Sequence, residues 1–286
     1  MSPEVKLSHP DKVLFPDSGL TKADLAAYYA AVSEVMLPHL RDRPMNLWRW
    51  NAGIEGQRVV QQDIPKGAPD WVARVETPRR QGGTNMHMMC QDADTLRWLS
   101  NQNCITPHVW TARHDNLDKP DRLVFDLDPE EGSDFGLVRE AALAVAARLR
   151  AAGLEPFAMV SGSKGIHVVA PLRRTRETLW VRERAGELGA EIAAEHPSLT
   201  TEWRKNKREG RILVDTARNT YGQTVVAPYA VRALPGAPCA TPLTWDEVED
   251  PALSPQSWTM KTMAERLASK GDPWADISSH AGTLSG

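Results

Sequence analysis

The chain alternates short apolar runs with longer amphipathic stretches, the pattern of an α/β protein. Thr21 is a good N-cap, and from Lys22 to Leu37 apolar residues recur at helical spacing, with Leu25, Tyr28, Tyr29, Val32 and Val35/Met36 turned inward. Met45 to Trp50 and Arg58 to Gln62 read as strands, Asn85 to Cys90 as extended, and Asp92 to Asn103 as a helix. Arg122 to Asp128 is an apolar run of strand length, and a periodic helix follows from Phe135 to Ala152, ending at Gly153. Strands are predicted near 156–161 and 166–170, then a helix from about Arg176 to Glu195, then strands near 211–216 and 223–228. Leu234 to Leu243 is rich in Pro and Gly and predicts an extended crossing segment. Ser257 to Lys270 reads as a last helix, and the residues from about Asp276 are expected to fray. After residue 120 the order strand, helix, strand, strand, helix, strand predicts a split βαβ, RNA-recognition-like sheet.

Three motifs carry chemistry. In Asp126-Leu127-Asp128 the two acids are two residues apart on a strand, so their side chains share a face. Carboxylates aimed at one spot repel unless a cation lies between them, and oxygen ligands suit Mg²⁺ or Mn²⁺. The bland alternative is a strand end with two solvated acids. Ser161-Gly-Ser-Lys-Gly-Ile-His167 follows the next strand, and its glycines and serines leave backbone N–H groups able to cradle phosphate, with Lys164 adding a point charge. The alternative there is an ordinary hairpin turn, and the spacing is not that of a Walker A loop. Finally, a basic turn, Arg204 to Gly210, precedes an apolar strand that closes on Asp215. Three carboxylates, a phosphate-type loop and clustered arginines describe a metal-dependent phosphoryl or nucleotidyl transferase site.

The order Asp-Leu-Asp-Pro, Ser-Gly-Ser-Lys-Gly-Ile-His-Val and Val-Asp with a following Arg-Asn resembles the archaeo-eukaryotic primase superfamily. Within it the chain is similar to the polymerase domain of the bacterial end-joining ligase, ligase D, and its stand-alone relatives. The likeness runs from about Leu7 to Trp258 and includes His9-Pro-Asp-Lys-Val-Leu-Phe-Pro16, Thr21-Lys-Ala-Asp24, Arg43-Pro-Met-Asn-Leu47 and Ala227-Pro-Tyr-Ala-Val-Arg-Ala233. It implies a single two-lobed α/β catalytic domain over residues 1–286, with a DNA-binding lobe over about 1–110. A catalytic lobe with a mainly antiparallel, RNA-recognition-like sheet would cover about 111–250, and a C-terminal helix and tail about 251–286. It implies that Asp126, Asp128 and Asp215 hold two divalent ions, Mn²⁺ or Mg²⁺, for nucleotidyl transfer. Ser161, Lys164 and His167 would line the triphosphate pocket, Arg208 and Arg232 would clamp phosphates, and His108 would stand near the incoming nucleotide. Lys12 and Lys22 match lysines that hold the 5′-phosphate of the downstream strand; by position alone Lys22 is an exposed first-turn helix lysine.

The chain departs from that family at a few positions. Relatives commonly carry a Phe-Phe pair and a nearby Lys where this chain has Val59-Val60 and Gln62, and a second arginine where it has Leu234. Valine cannot stack on template bases; Trp48 and Trp50 are candidates to replace the stacking, against a core role for alternating aromatics.

Composition adds boundaries. With 286 residues, 41% hydrophobic and 25% charged, the chain is long enough for one large or two modest domains and has an ordinary globular composition. No apolar run approaches the roughly 20 residues that span a bilayer, and the first residues lack a signal-peptide core. The expected setting is the bacterial cytoplasm, at the nucleoid, with no membrane partner. Cys90, Cys104 and Cys239 lack metal-ligand spacing and read as free thiols. The net charge of -3 argues mildly against nucleic-acid binding, but local clusters at Arg79–Arg80, Arg173–Arg176 and Arg204–Arg211 supply the charge a short DNA contact needs. No ligase motif, Lys-x-Asp-Gly, occurs, which predicts a stand-alone polymerase or an excised domain. The leading expectation is a template-dependent repair polymerase for short gaps or broken ends. Its partners would be DNA bearing a 5′-phosphate and nucleoside triphosphates, readily ribonucleotides, with Ku and a separate ligase as further candidates. The alternatives are a primase of the same superfamily and a non-catalytic end-binding module.

Overall fold

A computed structural model of the chain describes residues 5–285, so the reading of the first residues falls largely outside it. The chain forms two compact units. One comprises Met1–Trp110, Thr224–Ala240 and Trp258–Gly271; the other comprises Thr111–Gln223, Thr241–Ser257 and Asp272–Gly286.

The first unit opens with a two-stranded ribbon, β1 (Val13–Phe15) and β2 (Leu20–Thr21), then α1 (Lys22–Ala31) and α2 (Ser33–Leu40). Thr21 and Asp24 close a capping box on α1, and Leu25, Tyr28, Tyr29, Val32 and Met36 are buried as the periodicity predicts. The expected single helix is broken at Val32 because the Ser33 hydroxyl donates to the Ala30 carbonyl, and Pro38 sits inside α2. Then come β3 (Met45–Trp50), β4 (Arg58–Gln61), β5 (Arg74–Pro78), β6 (Thr84–Met88), α3 (Ala93–Asn101) and the wholly buried β7 (Cys104–Trp110). Sequence reasoning missed β5, which has little apolar content. Its signal was the turn at Gly82 and Gly83, both at positive φ, which lets β5 pair with β6 from Arg74↔Met88 to Pro78↔Thr84.

The second unit begins with β8 (Arg122–Asp128), followed by α4 (Phe135–Ala151), β9 (Phe157–Val160), β10 (Ile166–Pro171), α5 (Thr178–Glu195), β11 (Leu199–Thr200) and β12 (Ile212–Asp215). Its sheet runs β12-β8-β10-β9 across the centre, antiparallel throughout, which is the predicted split βαβ arrangement. β11 adds a parallel edge on β12. Leu123, Phe125 and Leu127 of β8 are fully buried, each contributing roughly 1.5–3 kcal/mol of burial.

The chain then returns to the first unit as β13 (Thr224–Val226), which pairs antiparallel with β7 and completes the order β13-β7-β3-β6-β5, with β4 on β3. Residues 224–240, placed by sequence in a lobe over about 111–250, therefore finish the first sheet. The predicted crossing segment ends in a strand, β14 (Thr241–Leu243), at the β9 edge, followed by α6 (Trp245–Glu249). The last long helix, α7 (Met263–Lys270), starts later than predicted because Ser254, Ser257, Thr259 and Thr262 spend their hydroxyls on local turns. The tail does not fray. Trp274 is buried with its indole N–H donating to the Ala158 carbonyl (3.0 Å), and Gly282 bridges Leu172. Among the described residues no helix is long and apolar enough to cross a membrane. All three cysteines are buried thiols, and burial pushes Cys104 and Cys239 up to about 12 and Cys90 further.

Candidate functional site

The acid motif lies on β8, the strand between β10 and β12. Antiparallel register sets His167 opposite Asp126 on one side and Asp215 opposite it on the other. Directly opposed residues share a face with Cβ atoms about 4.5–5.5 Å apart. Asp128 shares that face two residues along, in register with Leu213. Asp126, Asp215 and His167 are thus brought together by strand pairing, and Asp128 flanks them.

Two guanidinium groups face this acid surface. Arg218 Nε lies 3.4 Å from Asp126 Oδ2 and 3.6 Å from Asp215 Oδ2. Arg208, almost wholly buried, places Nη1 3.4 Å from Asp128 Oδ2 while donating to the carbonyls of Glu202 and Trp203. His167 Nε2 is 3.2 Å from Asp126 Oδ1, and its buried Nδ1 has no hydrogen-bond partner among the described residues. Burial pushes the Asp126 carboxyl up, but His167 and Arg218 together outweigh it and hold it at about 2. Ionised Asp126 therefore adds stability above the ordinary unfolded value of about 3.9, lost as pH falls through about 2. Asp215 moves the other way. Burial raises its carboxyl, and the like charges of Asp126 and Asp128 add to this against the Ala217 N–H and Arg218.

Among the described residues, no group of three or more His, Cys, Asp and Glu side chains is gathered tightly enough to hold a metal ion as it stands. The donor set nevertheless fits a divalent cation in chemistry. Three hard oxygen donors share one face, one of them is made costly to ionise by burial and then by the neighbouring acids, and arginines supply the balancing charge.

The Ser161–Gly165 turn spends part of its backbone on itself. The Ser161 hydroxyl accepts from the backbone N–H groups of Ser163 (3.3 Å) and Gly165 (3.2 Å), so those two amides are committed to the turn. Lys164 is the exposed cation of the loop. Gly165 matters for a different reason: a Cβ there would stand 1.9 Å from the Leu127 carbonyl oxygen, backbone that cannot step aside. Gly165→Ala is expected to lower stability by about 1–3 kcal/mol, the range for overpacking, and to displace β10 from the strand carrying the acids. Denaturant unfolding checks it; wild-type stability would mean the turn has slack that the geometry denies.

Two residues quoted in the sequence motif were given no role there: Arg218, described above, and Asn219. The buried Asn219 amide donates to Val124 O (2.7 Å) and accepts from Val124 N (2.8 Å), pairing with β8 as a strand would, two residues before Asp126. Their position three and four residues after Asp215 was the available signal.

The remaining expected residues lie in the first unit. His108, on β7, has Nδ1 3.1 Å from the Thr106 carbonyl, and its ring stacks on Trp48 at 3.8 Å and 21°. Arg58 lies over the same indole at 4.3 Å. Trp48 is thus occupied within the protein, and Trp50 is core. Arg232 stands in a tight turn, its N–H donating to Pro238 O (2.7 Å). Lys22 is buried, contrary to the exposed position expected of it, because Nζ donates to the carbonyls of Ser8 (2.8 Å) and Asn101 (3.3 Å). Burial and the neighbouring Lys12 lower its pKa. Lys12 itself donates to the Asn51 carbonyl and lines a pocket of about 380 Å³ with His9 and Asp11. Val59 and Val60 are exposed, and Gln62 accepts from Asn85 Nδ2 at 3.1 Å.

The second unit thus presents three carboxylates on one face of the central strands of a split βαβ sheet. The model of the LigD primase-polymerase domain matches residues 21–274. The chain is 31% identical over 280 residues to the multifunctional non-homologous end joining protein LigD of Mycolicibacterium smegmatis, covering 97% of this chain and 36% of that protein. It is 34% identical over 277 residues to LigD of Mycobacterium tuberculosis, covering 94% of this chain and 36% of that protein. The structure of the polymerase domain of Mycobacterium tuberculosis ligase D in complex with DNA superimposes with a TM-score of 0.90 at 32% identity, covering 98% of this chain and 99% of that one. The chain belongs to the LigD primase-polymerase domain family. It spans 36% of the length of the mycobacterial relatives it matches.

Proposed function

We propose that this chain is a template-dependent DNA-repair polymerase that adds nucleotides, ribonucleotides readily, at short gaps or double-strand-break ends. The observation that carries this reading is the register of β12, β8 and β10, which sets Asp215, Asp126 and His167 side by side with Asp128 on the same face. Asp126, Asp128 and Asp215 would hold two divalent ions, Mn²⁺ or Mg²⁺; when bound, these lower the pKa of the primer 3′-hydroxyl and neutralise the pyrophosphate leaving group. The remaining work falls to side chains. His167 keeps the Asp126 carboxylate oriented and ionised. Lys164, exposed on its turn, meets triphosphate oxygens, and Ser161 shapes that turn. Arg208 and Arg232 bring guanidinium charge to the phosphates, and His108, fixed by Trp48, contacts the nucleotide.

On the DNA side, Lys12 and Lys22 would bind the downstream 5′-phosphate. The buried Lys22 ammonium is held by two carbonyls, so its charge is positioned before DNA arrives. Work at the nucleoid alongside Ku and a separate ligase belongs to the same proposal, as does a cytoplasmic location.

Primer extension on a short-gapped duplex, with and without the 5′-phosphate, tests the reading in Mn²⁺ and in Mg²⁺ with each nucleotide type. Extension that rises with the phosphate is expected. Extension indifferent to it discards the lysine anchor, and none under any condition leaves a DNA-end-binding module instead.

A further inference from the structure

The loop between β11 and β12 carries an exposed indole that nothing in the acid site uses. Trp203 is 57% exposed, a large hydrophobic side chain left in solvent. It is followed by Arg204, Lys205 and Lys207, all exposed; Arg204 caps a single 3₁₀ turn, Lys205–Lys207, that carries the two lysines. Among the described residues none of these three cations is within ion-pair distance of an acid, whereas Arg208 and Arg211 are; Glu202, in the same loop, takes the Arg204 backbone N–H and feels the charges of Arg204 and Lys207 at longer range. The loop is tethered to the acid face by one guanidinium: Arg208 Nη2 donates to the Trp203 carbonyl (3.1 Å) while Nη1 reaches Asp128 (3.4 Å). Trp203 backbone and acid are thus two ends of a single side chain's reach.

An exposed aromatic set among unpaired cations is the combination that binds single-stranded nucleic acid. The ring stacks on a base of any identity, and the cations track the phosphates. Duplex bases are already stacked on one another and offer no face to it. We propose that Trp203, with Arg204, Lys205 and Lys207, is a stacking platform for an unpaired nucleotide of single-stranded DNA beside the reacting end. This inference rests on the nucleic-acid reading above and adds a contact surface to it.

The test uses the full chain and a short fluorescent oligo(dT), read by anisotropy across a salt series, with a duplex of equal length in parallel. Trp203→Ala is expected to weaken oligo(dT) binding by about 5- to 150-fold, the range for losing one base–aromatic stack. The salt slope and duplex affinity should be unchanged, and Trp203→Phe should recover most of the loss. A Lys205→Gln/Lys207→Gln pair is expected to flatten the salt slope by about 0.7 per charge removed. Because Trp203 is exposed, thermal melting should show both variants folded. Oligo(dT) binding by Trp203→Ala equal to wild type overturns the proposal and leaves the indole to a protein partner. An equal loss on oligo(dT) and duplex overturns it too, since stacking cannot produce that. Primer extension by wild type is run beside these. Its absence would sink the polymerase reading without touching the oligo(dT) result, so the two failures are separable.

Discussion

Asp128→Ala is expected to cut nucleotide addition by about 10²- to 10³-fold, the scale of removing one preorganised group that stabilises transition-state charge, with DNA binding and melting temperature near wild type. Of the three acids Asp128 is the cleanest to remove. Its side chain is 42% exposed, and its ionic partner among the described residues, Arg208, keeps its bonds to the Glu202 and Trp203 carbonyls. Asp126→Ala would instead strand His167 and Arg218 together at one spot. Single-turnover extension gives the rate, anisotropy on gapped duplex the binding, and a thermal melt the fold. Synthesis at the wild-type rate would remove Asp128 from the site.

Asp215→Asn should be equally inactive but more stable than wild type, with a melting temperature a few degrees higher in metal-free buffer near neutral pH. Asp215 is only 4% exposed, and its folded pKa lies above the unfolded one. An acid shifted that way costs the native state stability while ionised, and the cost fades as pH falls through its folded value. Asparagine removes the charge and retains an oxygen for the Ala217 N–H, which Asp215 now holds at 2.7 Å. The gap between variant and wild type should therefore be widest near neutrality and close on acidification. A variant that melts lower at neutral pH would show that Arg218 compensates Asp215 more completely than burial and the other acids oppose it.

Much of the second unit was legible because its elements obey simple periods. β8, α4, β10 and α5 begin and end within about two residues of their predicted limits, and the strand–helix order dictated the sheet order. The face shared by Asp126 and Asp128 follows from strand geometry alone. That Asp215 is opposite Asp126, rather than one residue off, is a matter of register, which no single strand encodes. The commitment of the Ser163 and Gly165 amides to Ser161 was hidden too, since a Gly/Ser turn that binds phosphate and one that closes on itself share a composition. Lys22 misled because first-turn helix positions are usually exposed; here two carbonyls distant in sequence claim its ammonium. β14 and the ordered tail were missed because Pro-rich and terminal segments carry little periodic signal, and tertiary contacts such as Trp274 to Ala158 decide them.

The return of the chain as β13 bears on how the protein can be dissected. The link between Trp110 and Thr111 looks like the natural place to cut, since residues on either side fall in different units. A fragment ending there would lack β13, and β7 would become an open edge carrying Cys104, Ile105 and Val109, each fully buried in the intact chain. Such an edge templates intermolecular pairing. Recombinant halves divided at that link would precipitate rather than report on either half, whereas a circular permutant that keeps Thr224–Ala240 joined to β7 would carry the whole sheet in one soluble piece.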